Sequence, residues 1–375
     1  MDFSIVVPTW NRSKLVDVLL ESLYEERKNY DLGETEVLIV DSSKGEEKAA
    51  IMASCEKYDA QYIEGDDSVR KKRNKGIDLA GYEYILFIDS DVTVGPGLLK
   101  SHAATLKEGE SNPKITGSFG LTEFVGKKKF WWHVIEHTSF LDSFGFAKFM
   151  PFVSWTIGNN VAFRRDELIK IGKFEENFPF KLGGDDLDMT YRYTKAGNLI
   201  KTTPGAVTYH SRETWNTRKA VNDRAKRWGT MEYHILKRYP ELVHRRLPMT
   251  GDVAALVTGV LGIMALIKGS CVPILFLLAW YLLLYFMMYR HYVSCNGKAN
   301  IFFWTIAMFQ QGKYRFWRMV NSIRHLDFSL AFKGQYFGIY HIKSDYQNSV
   351  KKIWLYYDSI FILIIAMIFY RFIVQ

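Results

Sequence analysis

Apolar and polar positions follow two rhythms along the first two hundred residues. Phe3-Ser-Ile-Val-Val-Pro8 is a short β-branched run closed by proline, which cannot donate to a sheet ladder, and it predicts a strand with its exit. Behind Ser13, a candidate cap, Val16, Leu19, Leu20 and Leu23 recur at helical spacing. Val37-Leu-Ile-Val40 predicts a second buried strand ending at Asp41-Ser-Ser43, and Ala60-Gln-Tyr-Ile63 a weaker third. Ser68 can cap a helix running to about Ala80, which Gly81 can end. Tyr84-Ile-Leu-Phe-Ile then runs into Asp89-Ser90-Asp91-Val92 without alternating, the pattern of a strand buried on both faces. A later helix is expected over Asp185–Ala196, stopped by Gly197, and a strand over Ala206–His210. Strand, helix, strand, helix, strand predicts an α/β fold with a mostly parallel sheet and helices on its faces.

The pattern changes after residue 252. Gly269–Tyr289 is 21 residues without a charge, enough at ~1.5 Å per residue to span ~30 Å of hydrocarbon. Val253–Ile267 lies between Asp252 and Lys268 and reads as a short span or half of a re-entrant hairpin. Ile353–Val374, apolar around Asp358 and Arg371, reads as a third span. Ile301–Phe309 is too short to cross and is expected at the interface. Ten Lys or Arg against two acids between Arg290 and Lys352 place that segment, and the soluble part with it, in the cytoplasm. The expected organisation is an α/β domain over 1–212, amphipathic interfacial helices over 213–250 and an α-helical membrane domain over 251–375. The expected location is the cell membrane, with several crossings.

Composition agrees. Hydrophobic residues are 48% and charged residues 24% of 375, so a packed core is available and wholesale disorder is not indicated. A net charge of +9 on a chain with membrane segments suits loops facing anionic lipid. Nucleic acid is not an expected partner, because the cations are spread among aromatics and membrane flanks. Cys55, Cys271 and Cys295 are far apart without metal spacing, which points to a reducing compartment. No basic-then-apolar leader is evident, so no secretory signal is expected.

Polar residues gather where strands should end. Thr9, Asn11 and Arg12 follow the first strand, Asp41 the second, and Asp66, Asp67, Arg70, Lys71, Lys72, Arg73 and Asn74 the third. In open α/β sheets such ends converge on a ligand crevice. Asp89 and Asp91 suit a divalent cation carrying a phosphorylated ligand, since magnesium and manganese take oxygen from carboxylates and phosphate. The same pair can instead cap the helix expected near Pro96. Four consecutive cations, Arg70 to Arg73, are ordinarily a solvated face. Arg70 and Arg73 share a helix face, however, and could hold a diphosphate or a base edge. Asp41 can accept from a base N–H or cap its own turn. The helix dipole accounts for Asp185 and Asp186 in a first turn, but not for Gly183 and Gly184 before them, which permit a tight turn and close ligand approach. The aromatic stretch Lys127-Lys-Lys-Phe-Trp-Trp-His133, continuing through Phe140, Phe144, Phe146, Phe149 and Phe152, either packs on the sheet or rests among headgroups.

Ile5-Val-Val-Pro-Thr-Trp-Asn-Arg12, Val40-Asp41-Ser42, Arg73-Asn-Lys-Gly76 and Phe87-Ile-Asp-Ser-Asp-Val92 stand in the order of a known family. They resemble the N-terminal half of family 2 glycosyltransferases, and the resemblance extends over residues 3–212. It implies the GT-A fold, a Rossmann-like nucleotide-diphospho-sugar transferase domain, with a nucleotide-sugar donor and inversion at the anomeric carbon. It also implies Mn2+ or Mg2+ as cofactor. Pro8, Thr9, Asp41, Arg70 and Arg73 are implied to line the donor pocket. Asp91 is implied to bind the metal, Asp89 to contact nucleotide or metal, and His210 to be the third protein ligand. Gly184-Asp185-Asp186 stands where the family commonly reads Gly-Glu-Asp. Asp186 is thereby implied as general base and Asp185 as an acceptor contact on a shorter side chain. Arg224-Ala-Lys-Arg-Trp228 is similar to the Gln-x-x-Arg-Trp signature of processive synthases such as cellulose synthase, with Arg224 at the Gln position. Arg227 and Trp228 would border the acceptor, or the helix is an interfacial one with basic and aromatic anchors.

The expected function is that of a membrane-anchored inverting glycosyltransferase. It moves a sugar from a nucleotide donor, UDP-linked, to a hydroxyl of a glycan or lipid-linked acceptor at the cytoplasmic leaflet, with membrane lipids as partners. The alternatives are a processive polysaccharide synthase and a non-catalytic membrane scaffold.

Overall fold

A computed structural model of the chain describes residues 1–177, 183–244, 261–267 and 272–327, with 259, 269, 330 and 334–335. Contacts divide the chain into two units, Met1–Arg245 with Met287–Gly338, and Arg246–Phe286 with Ile339–Gln375. The first unit is built on a nine-stranded sheet. Its strands are β1 (Phe3–Thr9), β2 (Thr35–Asp41), β3 (Gln61–Glu64), β4 (Tyr84–Phe87), β5 (Val92–Val94), β6 (Ile115–Val125), β7 (Phe152–Val153), β8 (Val161–Arg164) and β9 (Leu199–Ser211). Their order is β3-β2-β1-β4-β8-β6-β9-β5, with β7 beside β9.

The expected parallel sheet exists only in its first half. β1 pairs in parallel with β2 and β4, and β2 with β3. Beyond β4 the sheet is mixed, because β8 runs antiparallel to both β4 and β6. Helices α1 (Ser13–Lys28), α2 (Gly45–Lys57), α3 (Val69–Leu79) and α4 (Leu98–Lys107) connect the early strands. Val16, Leu19, Leu20 and Leu23 of α1 are buried, as their spacing predicts, in one core with Phe3, Ile5 and Val7 of β1 and Val37 and Ile39 of β2.

Two local expectations are corrected. Ser13 does not cap α1; it is the first helical residue, and its N–H donates to Glu47 Oε2 at 2.9 Å, so a carboxylate from α2 satisfies the orphan donor. The run Tyr84–Val92 is not one strand. β4 ends at Phe87, and the Asp89 N–H donates to the Asn159 side chain at 3.1 Å instead of to a ladder. The chain re-enters the sheet as β5 against β9, on the far side. Asp89-Ser90-Asp91 is therefore a crossing between two parts of the sheet.

The remaining helices are α5 (Phe130–Ile135), α6 (Arg165–Lys170), α7 (Asp185–Lys195), α8 (Arg218–Arg238), α9 (Val272–Asn296) and α10 (Ile301–Arg324). α10 packs on α8 with an inverted polarity. Gln310, Arg318, Asn321 and Ser322 are buried, and Arg318 pairs with Glu232 at 3.4 Å. Phe302, Phe309, Phe316 and Ile323, seven residues apart, are exposed instead. Gly229 is what permits the approach, since a Cβ there would stand 2.1 Å from the Tyr314 carbonyl. Among the described residues no helix is long and apolar enough to cross a membrane. The charge-free run ending at Tyr289 enters α9, whereas Ile353–Val374 and residues 253–258 and 260 of the Val253–Ile267 run lie outside the described residues.

Candidate active site

Two parts of the fold deliver the site. The antiparallel register of β5 and β9 sets Val92 opposite His210, which brings the imidazole beside Asp91. His210 Nε2 stands 3.4 Å from Asp91 Oδ1, and Arg12 Nη1 stands 3.0 Å from Asp91 Oδ2. Burial lowers the His210 pKa, and Arg224 and Arg12 add to the effect against the attraction of Asp91, all of which favours the neutral ring. Its Nδ1–H donates to the Ser211 carbonyl at 3.0 Å, which leaves the Nε2 lone pair turned to the carboxylate. Two lone-pair atoms facing each other suit a cation between them. Among the described residues no cluster of three or more His, Cys, Asp or Glu is ready for a metal. Among the described residues Asp91 and His210 form a facing pair, and an open set of this kind would suit a metal completed by substrate oxygens. Phe124, Phe144 and Trp215 enclose the His210 ring at centroid distances of 5.2, 6.3 and 6.1 Å. Much of the aromatic stretch is buried here, Trp132, Phe140 and Phe146 included, while Phe130 and Phe149 are exposed.

The second part is the start of α7. Gly183 and Gly184 both adopt positive φ, 96° and 80°, so the turn ahead of the acids needs glycine. Asp185 is buried and paired with Arg73 Nη1 at 2.8 Å. Asp186 accepts from the Gly158 N–H at 3.1 Å and the Leu187 N–H at 2.9 Å. Burial, and then the charge of Asp185, pushes its pKa up to about 6 against the pull of Arg73 and these donors. Asp188 takes a different part: it is buried and bound by Arg192, Arg238 and Tyr239.

Arg73 joins the two parts. Besides Asp185 it reaches Asp89 at 3.4 Å and donates to the Gly158 carbonyl at 3.1 Å. Its guanidinium, expected to line the donor pocket, spans these acids. Asp89 faces Arg73 rather than His210, and burial raises its pKa to about 6, with Asp91 and Asp185 adding and Arg73 and Arg12 opposing. Pro8, Thr9, Asp41 and Arg70 lie buried at the ends of β1 and β2 and on α3. Both Asp41 oxygens already accept hydroxyls, from Ser43 at 2.6 Å and Tyr62 at 3.1 Å, and the Thr9 Oγ1 has no hydrogen-bond partner. Trp228 borders the acceptor-side turn, since a Cβ at Gly183 would meet its ring at 4.0 Å, and Arg227 is exposed nearby on α8.

Sequence reasoning missed Gly158, Asn159 and Lys72. Gly158 touches Asp186 through its N–H and Arg73 through its carbonyl, and Asn159 holds the Asp89 N–H. The run Gly158-Asn159-Asn160, with Asn160 at φ 57°, is a turn signal that could have marked them. Lys72 is buried, and its Nζ donates to the Thr9 carbonyl at 2.5 Å.

Residues 4–171 match the family described as Glycosyl transferase family 2. The chain is 25% identical over 278 residues to a chondroitin synthase of Pasteurella multocida, covering 65% of this chain and 28% of that protein. A hyaluronan synthase of the same organism is 27% identical over 244 residues, 55% of this chain and 24% of that protein. The matches therefore span about a quarter of the length of these relatives. Among solved structures, a mannosyltransferase from Pyrobaculum calidifontis, in complex with GDP-Man and Mn2+, has a TM-score of 0.50 at 17% identity, covering 82% of this chain and 86% of that one. That likeness shows the fold. The parallel first strands and the acid pair beyond them agree with the family match, which covers residues 4–171 and so somewhat less than half of the chain.

Proposed function

We propose that the chain is a metal-dependent inverting glycosyltransferase that moves a sugar from a nucleotide donor, UDP-linked, to a hydroxyl of a glycan or lipid-linked acceptor. The observation that carries this reading is the frame built by Arg73 and Gly158. It ties a carboxylate with a pKa near the working range, Asp186, to the Asp89–Asp91 crossing beside His210. A divalent cation on Asp91 and His210 would supply positive charge to a departing diphosphate. The chain's own residues do the rest. Asp186 takes the hydroxyl proton as the acceptor oxygen forms its bond to the sugar's anomeric carbon. The bond from that carbon to the diphosphate oxygen breaks on the opposite side, and its electron pair leaves with the nucleoside diphosphate. Asp185, held by Arg73, orients the acceptor. The Gly158 N–H keeps the proton-accepting oxygen of Asp186 in place.

The membrane part of the proposal is supported by the outer face of α10. Its apolar row meets Phe130, which lies 6.2 Å from Phe302 and 5.5 Å from Phe303 between ring centroids. Exposed Lys127, Lys128 and Lys129 adjoin Phe130. Rings beside cations suit an anionic headgroup layer, here the cytoplasmic leaflet of the cell membrane. A processive synthase is the second reading, favoured by the polymer synthases among the relatives.

The test is a panel of labelled nucleotide sugars given to the purified full chain with lipid extract and Mn2+. Asp186→Asn is expected to bind the accepted donor with unchanged affinity and to transfer almost nothing. Near-normal turnover by that variant removes Asp186 from the mechanism, and no transfer from any donor by the unsubstituted chain rejects the activity. A product ladder instead of single addition favours the synthase.

A further inference from the structure

Two arginines, Arg12 and Arg224, act on Asp91 from different elements. Arg224 projects from the second turn of α8, whose start is capped by Thr217 accepting from the Ala220 N–H. Its Nη1 donates to the carbonyls of Thr214 and Ala220 at 3.1 and 3.3 Å. Its guanidinium lies 3.7 Å over the ring of Trp215. Trp215 is itself buried and stands edge-on to His210, so one indole links the guanidinium to the candidate metal ligand. Arg12 sits on the other oxygen of Asp91. Burial drops the Arg224 pKa to about 10, with Arg227 and Arg12 adding to the drop and Asp91 and Asp223 opposing it. Asp223 is shared with Lys219 at 2.8 Å, and Asp91, already paired with Arg12, attracts Arg224 from beyond ion-pair distance. A half-buried planar cation held against an aromatic face, repelled by its neighbours, is arranged for an anion that arrives with the ligand.

We propose that Arg224 is a donor-binding residue that grips the diphosphate of the nucleotide from the α8 side, with Trp215 as the platform that holds its guanidinium flat. The assignment rests on the glycosyltransferase reading above and deepens it. It moves the diphosphate contact from Arg73, which is committed to Asp185 and Asp89, to a residue standing where the processive signature has Gln. Arg224 carries charge the Gln of that signature lacks, so the grip on the leaving group is a property of this chain's own variation.

The measurement is binding of UDP against UMP, and of GDP against GMP, to the full chain with Mn2+ by calorimetry. Arg224→Gln is expected to weaken the bound diphosphate about tenfold, the scale of one charge-assisted contact, while changing the matching monophosphate less than about twofold. Arg224→Lys keeps the charge without the flat fork, so part of the diphosphate affinity should return. Trp215→Leu should lower diphosphate affinity in the same selective way. Unchanged diphosphate affinity in Arg224→Gln overturns the assignment. An equal loss for mono- and diphosphate overturns it as well, since the effect then belongs to the pocket as a whole. Failure of the underlying reading would look different: the unsubstituted chain would bind neither nucleoside diphosphate.

Discussion

At Asp186 the same burial that suits the residue to proton transfer costs the fold. Its pKa of about 6 lies above the ordinary carboxylate value, so between the two the folded state holds a proton the unfolded chain has lost. Stability contributed by this group is complete below the unfolded pKa and is lost as pH rises through the folded one. Asp186→Asn should therefore melt above the parent at pH 7, and the gap should close near pH 4. The transfer rate of the parent should fall as pH drops through about 6, because a protonated Asp186 cannot accept the acceptor's proton. Gly158 is the other residue where a single atom decides. A Cβ there would stand 2.3 Å from Arg73 Nη2, so Gly158→Ala must displace the guanidinium that holds Asp185 and Asp89. Thermal unfolding should register a loss of about 1–3 kcal/mol. Transfer should drop further than that loss of folded protein accounts for.

Among the elements, α3 and α10 contradict ordinary surface logic in opposite directions. Three of the four consecutive cations of α3 are buried, Arg70, Lys72 and Arg73, where a charged run would ordinarily be solvated. They are kept inside by what meets them: the Thr9 carbonyl for Lys72, and Asp185, Asp89 and the Gly158 carbonyl for Arg73. α10 buries Gln310, Arg318, Asn321 and Ser322 along with Trp304 and Ala307, while Phe302, Phe309, Phe316 and Ile323 face outward. Exposed apolar rows of this length mark a surface that binds something apolar. Phe309→Ser with Phe316→Ser should abolish sedimentation with vesicles containing anionic lipid, while release of nucleotide from donor in detergent stays as in the parent. Retained sedimentation in the double variant would reject α10 as the contact.

For the whole molecule, the mixed half of the sheet matters more to function than the parallel half. β8 and β9 return antiparallel to β4 and β5, and those returns carry Gly158-Asn159 to Asp89 and His210 to Asp91. On the proposed reading a cation would bind between Asp91 and His210, which these returns bring to 3.4 Å. Chelation should abolish transfer, and Mn2+ should restore it, whereas Asp91→Asn should respond weakly to added metal.

Much of the first half was readable from local pattern. Apolar runs and spacing located β1, α1 and β2 because each buries one face or both, while α3 was located by its flanking Ser68 and Gly81. The two glycines before Asp185 announced their positive φ because only glycine adopts it cheaply. What no local pattern could carry was partnership across long sequence distances. The break after Phe87 arises because the Asn159 side chain takes the Asp89 N–H. The burial of the α3 cations arises because carbonyls and acids as far along the chain as Asp185 come to meet them. Hydrophobic rhythm depends on each residue's own environment and so is recorded one segment at a time. The pairing of a charge depends on which other segment arrives, and that is decided only when the sheet closes its antiparallel returns.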